Sequence, residues 1–174
     1  MATTYTLISS VTVGSGGAAN IEFTSIPATY TDLVVVLSGR SNTTFGADGF
    51  AAILELNGST SDRSNRYLRN YNGTVGSFST WNGSSNTIFS SLNPSDYTAN
   101  TFNNTQWYLP NYAGSNNKSV SIDSVTENNS TDIIQTLTAG LWSNSAAITS
   151  IKLNPSPASF VQYSTAYLYG ISNA

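Results

Sequence analysis

The chain of 174 residues has six basic and nine acidic side chains, no histidine and no cysteine, and a formal net charge of −3. Without histidine it lacks the usual acid–base catalyst near neutral pH, and without both residues it lacks the commonest ligands of transition metals. Six basic residues are too few for a nucleic-acid surface or for attachment to an anionic membrane. The composition therefore favours a structural or binding protein that is built without disulfides.

The amino-terminal segment has no basic region followed by an apolar stretch, so no secretory signal is expected. No apolar run approaches the roughly 20 residues that a transmembrane helix needs. We therefore expect a chain that is made in the cytosol and used uncleaved.

Apolar residues recur with a period of two along nearly the whole chain, which predicts β-strands. Four strands are expected first, at 5–13, 21–23, 33–37 and 50–56. The third is a continuous valine-rich run, as is typical of a strand in the centre of a sheet. The fourth ends at Asn57-Gly58, a dipeptide that favours a tight turn.

Further strands are expected at 66–68, 87–89, 106–109, 120–125, 133–141, 148–153 and 160–171. The last of these runs almost to the end of the chain, so we expect it to be paired within the fold. Asn72-Gly73 and similar dipeptides separate the runs, and no segment has a helical period. The polar stretch 57–104 is predicted to form long loops.

Together these patterns predict one all-β domain over residues 1–174. The expected architecture is a single antiparallel β-sandwich of jelly-roll type with about eight to ten strands.

The carboxylates show no spacing that singles out a pair for glycoside hydrolysis. A Ser-His-Asp triad is excluded because the chain has no histidine. Asp123, Glu127 and Asp132 carry oxygens that Ca²⁺ accepts, but they lack the order of a calcium-binding loop, so ordinary surface acids are favoured. We expect no catalytic residue, no metal and no cofactor.

Arginines are concentrated in one short segment, at Arg63, Arg66 and Arg69. The planar guanidinium suits a carboxylate across a subunit contact. The alternative is an exposed strand edge that its charges keep soluble. These three residues are the candidate contact with another subunit or a partner protein.

Six aromatic residues could belong either to a sugar-stacking platform or to the core. They are Trp81, Tyr97, Trp107, Tyr108, Tyr112 and Trp142. Trp107 and Trp142 lie in apolar runs and are predicted to be core residues. Trp81 lies beside the turn signal Asn82-Gly83 in the polar stretch, and it is the candidate exposed aromatic contact.

Three segments together resemble proteins of tailed bacteriophages. They are residues 5–40, which include the run IEFTSIP at 21–27, residues 52–58, and residues 140–171, which end in LYGI at 168–171. They are similar to small virion proteins and tail-fibre modules in which such a strand and turn open the domain and such a strand closes it. The similarity skips residues 57–104.

The resemblance implies a β-scaffold and a virion structural protein. Because the chain begins at Met1 and is short, we expect a free-standing head-decoration, or cement, protein that binds and stabilises the capsid shell. Its expected partners are the major capsid protein or other virion proteins and further copies of itself, as a trimer. The alternative is a tail-fibre or baseplate adhesion module that binds host surface polysaccharide through Trp81. Neither function involves nucleic acid, a membrane or catalysis.

Overall fold

The fold is that of a computed structural model, which describes residues 4–44, 51–79, 87–129, 132–156 and 158–172. These ranges contain twelve β-strands and no helix, which confirms the predicted all-β class. The strands are β1 (Tyr5–Thr12), β2 (Ile21–Phe23), β3 (Asp32–Ser38), β4 (Ala51–Leu56), β5 (Arg63–Tyr71), β6 (Thr74–Phe78), β7 (Ile88–Ser91), β8 (Asn104–Leu109), β9 (Lys118–Glu127), β10 (Ile133–Trp142), β11 (Ile151–Ser156) and β12 (Thr165–Ile171).

Two antiparallel sheets are formed, as in a β-sandwich. The larger has eight strands in the order β1-β12-β3-β8-β9-β10-β5-β6, and the smaller has four in the order β2-β11-β4-β7. The closing strand β12 lies between β1 and β3, so the expected pairing of the carboxy-terminal run is confirmed. The strands predicted at 21–23 and 87–89 are the short elements β2 and β7, which have three and four residues. Among the described strands, β6 is the one that no predicted run matches.

The core lies between the two sheets. From the eight-stranded sheet, Leu33, Val35 and Leu37 of β3 point inward, and Trp107 of β8 is fully buried beside them. Trp142, at the end of β10, is 2 % exposed, so both tryptophans are core residues as predicted. Fully burying one such apolar side chain stabilises the fold by roughly 1.5–3 kcal/mol.

The predicted long loops over residues 57–104 are wrong at β6 and at the part of β5 outside the strand predicted at 66–68, whereas β7 agrees with the strand predicted at 87–89. The inward positions of β5 are Arg63, Asn65 and Tyr67, of which only the last is apolar, so its period of two was hidden in the sequence. The strands β5 and β6 are joined by Asn72 and Gly73, which have φ of 50° and 84°. Positive φ at both positions is typical of a type I′ hairpin turn, and the turn signal read at this dipeptide is confirmed.

The connection between β7 and β8 is held by one buried arginine. Arg40 is 8 % exposed, and its guanidinium donates to the main-chain carbonyls of Ser95 (2.9 Å), Tyr97 (2.7 Å), Thr98 (2.7 Å) and Thr101 (3.0 Å). Burial lowers its pKa, and nearby Asp96 opposes the shift. Arginine retains its charge under such conditions, so these are charge-assisted hydrogen bonds.

Candidate functional site

The three arginines of the candidate contact do not share one surface. Arg63 is only 6 % exposed and points between the sheets, where its guanidinium donates to the carbonyls of Leu54 (3.1 Å) and Thr60 (2.8 Å). Burial lowers its pKa, and Glu55 opposes the shift. Arg63 thus joins β5 to the smaller sheet and is not available to a partner at the surface.

Arg66 and Arg69 lie on opposite faces of β5. Arg66 points outward and donates to the carbonyls of Asn65 (3.0 Å) and Ser79 (3.4 Å). Arg69 lies over the ring of Phe78, with its guanidinium carbon 4.8 Å from the ring centroid, which is a cation–π contact. A role in partner contacts stays a prediction for these two residues.

Most of the aromatic residues considered for a sugar platform are inside the protein. Tyr97 is 4 % exposed and Tyr112 is fully buried, as is Trp107. Trp81 lies outside the described residues, so its candidate contact stays a prediction. Tyr108 is the exception, because its side chain is partly exposed on the outer face of the larger sheet.

The acids that were weighed as calcium ligands are dispersed. Asp123 and Glu127 point outward from β9. The Asp132 carboxylate accepts hydrogen bonds from the Tyr71 hydroxyl (2.9 Å) and the Asn72 amide (3.0 Å). Within the ranges that the structure describes, no three metal-ligating side chains come together.

The outer face of the eight-stranded sheet is the candidate functional surface. The side chains that alternate outward from its strands include most of the large apolar residues that the described chain exposes. They form two groups at opposite ends of the strand order, separated by polar positions on β8 and β9. Since exposed apolar patches mark interaction sites, each group is described in turn.

The first group is the tyrosine patch, formed by Tyr5, Leu7, Tyr108, Tyr167 and Tyr169. Antiparallel register sets Leu7 beside Tyr169, and Val34 of β3 lies between Tyr169 and Tyr108. The Tyr169 ring contacts two others, with centroids 6.3 Å from that of Tyr5 and 6.4 Å from that of Tyr167. Tyr5 and Leu7 are each 52 % exposed.

A carboxylate fixes one side of the tyrosine patch. Asp32 Oδ2 accepts a hydrogen bond from the Tyr108 hydroxyl (2.7 Å), and Oδ1 accepts one from the Asn111 backbone N–H (2.8 Å). This hydrogen bond, more than burial, raises the pKa of Tyr108. The phenol therefore stays protonated, and its ring is held in place on the surface.

The second group is the leucine–valine patch, formed by outward side chains of β5, β6, β9 and β10. Its members are 36 to 71 % exposed and are Leu68, Val75, Val125, Leu137 and Leu141. Leu137 lies at the centre, in register with Leu68 on one side and Asp123 on the other. A shallow groove of about 400 Å³ runs over four of these side chains.

Sequence reasoning missed both patches, and β12 shows the reason for the tyrosine patch, because this strand is apolar on both faces. In β12, Ala166 and Leu168 are buried while Tyr167 and Tyr169 point outward. A strand of this composition is expected to be covered on both sides. The only available signal was the tyrosines, which keep a polar group for contact with water.

No protein-family model matches the chain, and neither a curated protein nor a solved structure is detectably similar to it. Over the part of the chain that is described, no helix is long and apolar enough to cross a membrane.

Proposed function

We propose that the protein is a structural component of a tailed-bacteriophage particle, namely a head-decoration protein that docks on the capsid shell through the tyrosine patch. The observation on which the proposal rests is the cluster of exposed tyrosines on the outer face of the larger sheet. Tyrosine is enriched at the centre of protein interfaces because its ring buries a large area at small entropic cost while its hydroxyl stays hydrogen-bonded.

The location of the patch agrees with the resemblance to phage virion proteins. Strands β1 and β12 lie in the opening and closing segments of that resemblance, and they pair with each other to present Tyr5, Tyr167 and Tyr169. A jelly-roll connection of the two sheets belongs to the same proposal. It assigns no catalysis and no cofactor.

Expanded capsids that lack decoration provide the test. The double variant Tyr5→Ser/Tyr167→Ser should lose co-sedimentation with such capsids, because it removes two exposed rings from the centre of the patch. Truncating central interface aromatics typically costs at least about 2 kcal/mol each, or about thirtyfold in affinity. Capsids assembled with the variant should release DNA at a lower temperature than those with the unaltered protein.

Tyr163→Ser is the matched control, since Tyr163 is 67 % exposed and lies in the connection before β12, outside the patch. It should bind capsids like the unaltered protein. Equal binding by the double variant and the control would refute docking through the tyrosine patch.

A second function, adhesion to host surface polysaccharide from a tail fibre or baseplate, is favoured by the polar groups around the same rings. Tyrosine faces stack on sugars, and the Asp32 carboxylate and Gln106 amide beside them could hydrogen-bond hydroxyls. This alternative predicts that the double variant adsorbs poorly to host cells while particle stability is unchanged. Imaging the position of the chain in the particle separates head from tail.

A further inference from the structure

The leucine–valine patch is too apolar to be left in water by a protein with so few charges. Its five aliphatic side chains lie on the outer faces of four adjacent strands, with Leu137 at the centre. The patch occupies the strands from β9 to β6 at one end of the sheet, and the tyrosine patch occupies strands from β1 to β8 at the other. The leucine–valine patch therefore needs a contact of its own, separate from the contact that covers the tyrosine patch.

Two opposite charges flank the patch, one on each side of β10. Arg66 on β5 is in register with Ala139, and Asp123 on β9 is in register with Leu137, so they lie two residues apart along β10. Among the described residues, neither side chain forms an ion pair, and the Asp123 carboxylate accepts no hydrogen bond. A partner surface of a single charge sign would repel one of these two side chains. A surface that carries one positive and one negative charge at the same spacing can pair with both.

We infer that the occupant of the leucine–valine patch is a second copy of this chain, packed face to face about a two-fold axis parallel to β10. Such an axis sets β5 of one copy over β9 of the other and Leu137 over its own equivalent. Arg66 is then displaced from Asp123 of the second copy by about 7 Å along the strands, which is two residues, and by the roughly 10 Å between the stacked sheets. The backbones are about 12 Å apart, a separation that an extended arginine and an aspartate can span together. The symmetry forms this ion pair twice, as an isologous contact requires.

The area is adequate for such a contact. The four strands have nine, five, ten and ten residues (β5, β6, β9 and β10). At about 3.4 Å per residue and about 4.8 Å between strands they cover roughly 550 Å² in projection. A ridged surface has more accessible area than its projection, so the face approaches the roughly 800 Å² per partner of a stable interface.

The proposed dimer differs from the trimer expected from the sequence. Its failure would leave the proposed docking of the tyrosine patch on the capsid unaffected. Sedimentation equilibrium of the full chain over a wide range of concentration should give twice the monomer mass. Leu137→Asn should weaken the association at least tenfold, since it places a polar group at the centre of the contact. Leu7→Asn is the matched control, because Leu7 is 52 % exposed against 59 % for Leu137 and lies on the same sheet outside the patch. It should leave the mass unchanged.

Exchanging the charges of Arg66 and Asp123 tests the direction of the proposed two-fold axis. Arg66→Asp and Asp123→Arg should each weaken the association about tenfold by opposing like charges, and the double variant should restore it to within a few-fold. Circular dichroism and urea unfolding of each variant establish that the monomer is folded. A monomer at every concentration, a trimer, a dimer indifferent to Leu137→Asn, or a double variant no better than the single ones would overturn the proposal.

Discussion

Arg40 provides the sharpest test of how the fold is held together, because a single side chain organises the connection between β7 and β8. Replacing it with methionine keeps most of the aliphatic stem and removes the donors to four carbonyls. A hydrogen bond to a charged group contributes about 1.5–3 kcal/mol. Only the bond to Tyr97 is fully buried. The other three carbonyls can turn to water, so the loss should fall well below the sum.

We expect Arg40→Met to lower the free energy of unfolding by about 3 kcal/mol, which for a chain of this size corresponds to a fall in Tm of roughly 6–12 °C. Arg40→Lys should lower the free energy of unfolding by about half as much. The ammonium group has only three donors, and it lacks the planar arrangement with which the guanidinium reaches four separate carbonyls. Urea unfolding followed by tryptophan fluorescence measures both changes. Limited proteolysis should show faster cleavage in the connection that Arg40 holds.

Lys152→Met is the control for Arg40→Met. Lys152 forms an ion pair with Glu55 (3.1 Å) on the smaller sheet and is more exposed, so its loss should cost no more than about 1 kcal/mol. If Arg40→Met unfolds at the same urea concentration as this control, the guanidinium does not hold the connection, and the reasoning fails.

Two further predictions concern a tyrosine and a glycine. Hydrogen bonds to Asp32 and Asp132 raise the pKa of Tyr108 and Tyr71 from the model-peptide value of 10.0, so the folded state keeps protons that the unfolded chain loses. Stability should be full below about pH 10 and fall as pH rises through the folded-state pKa values. Tyr108→Phe should make the decrease of stability with pH less steep by at most about 1.4 kcal/mol per pH unit, as measured by urea unfolding at a series of pH values. Gly170→Ala should destabilise the fold by roughly 1–3 kcal/mol, because a Cβ there would lie 2.3 Å from the Tyr30 ring. Gly14→Ala, with open space around it, should unfold at the same urea concentration as the unaltered chain.

The alternation of apolar residues was enough to predict the all-β class and the strands that face the core with aliphatic residues. Strand β3 is the plainest case, because its valine-rich run has a central place in the larger sheet and needs cover on both faces. The failures occurred where polar residues point inward. In β5 the inward Arg63 and Asn65 are stabilised by carbonyls of other segments, which a local pattern cannot reveal.

The abundant hydroxyl residues show the same limit. They suggest an uncharged exterior, yet several are buried beneath β7, where the hydroxyls of Thr105 and Ser124 are 2.9 Å apart. Ser124 also donates to the carbonyl of Ser91 (3.2 Å), and Asn103 donates to the same oxygen (2.7 Å). Buried polar groups of this kind are stable only when they are hydrogen-bonded, and their partners come from distant strands.

The proposed dimer and the proposed docking through the tyrosine patch together determine how a dimer would bind the capsid. A two-fold axis parallel to β10 turns the outer face of the second copy to oppose that of the first. The tyrosine patches, which lie beyond the contact at the β1 end of each sheet, then open in opposite directions on opposite sides of the pair. A locally flat capsid surface can engage only one of them. We therefore expect two copies of the chain for each occupied capsid site, and one copy for each site with Leu137→Asn, measured by quantitative gel densitometry of saturated particles. Equal stoichiometry for the two proteins would mean that the pair does not persist on the capsid.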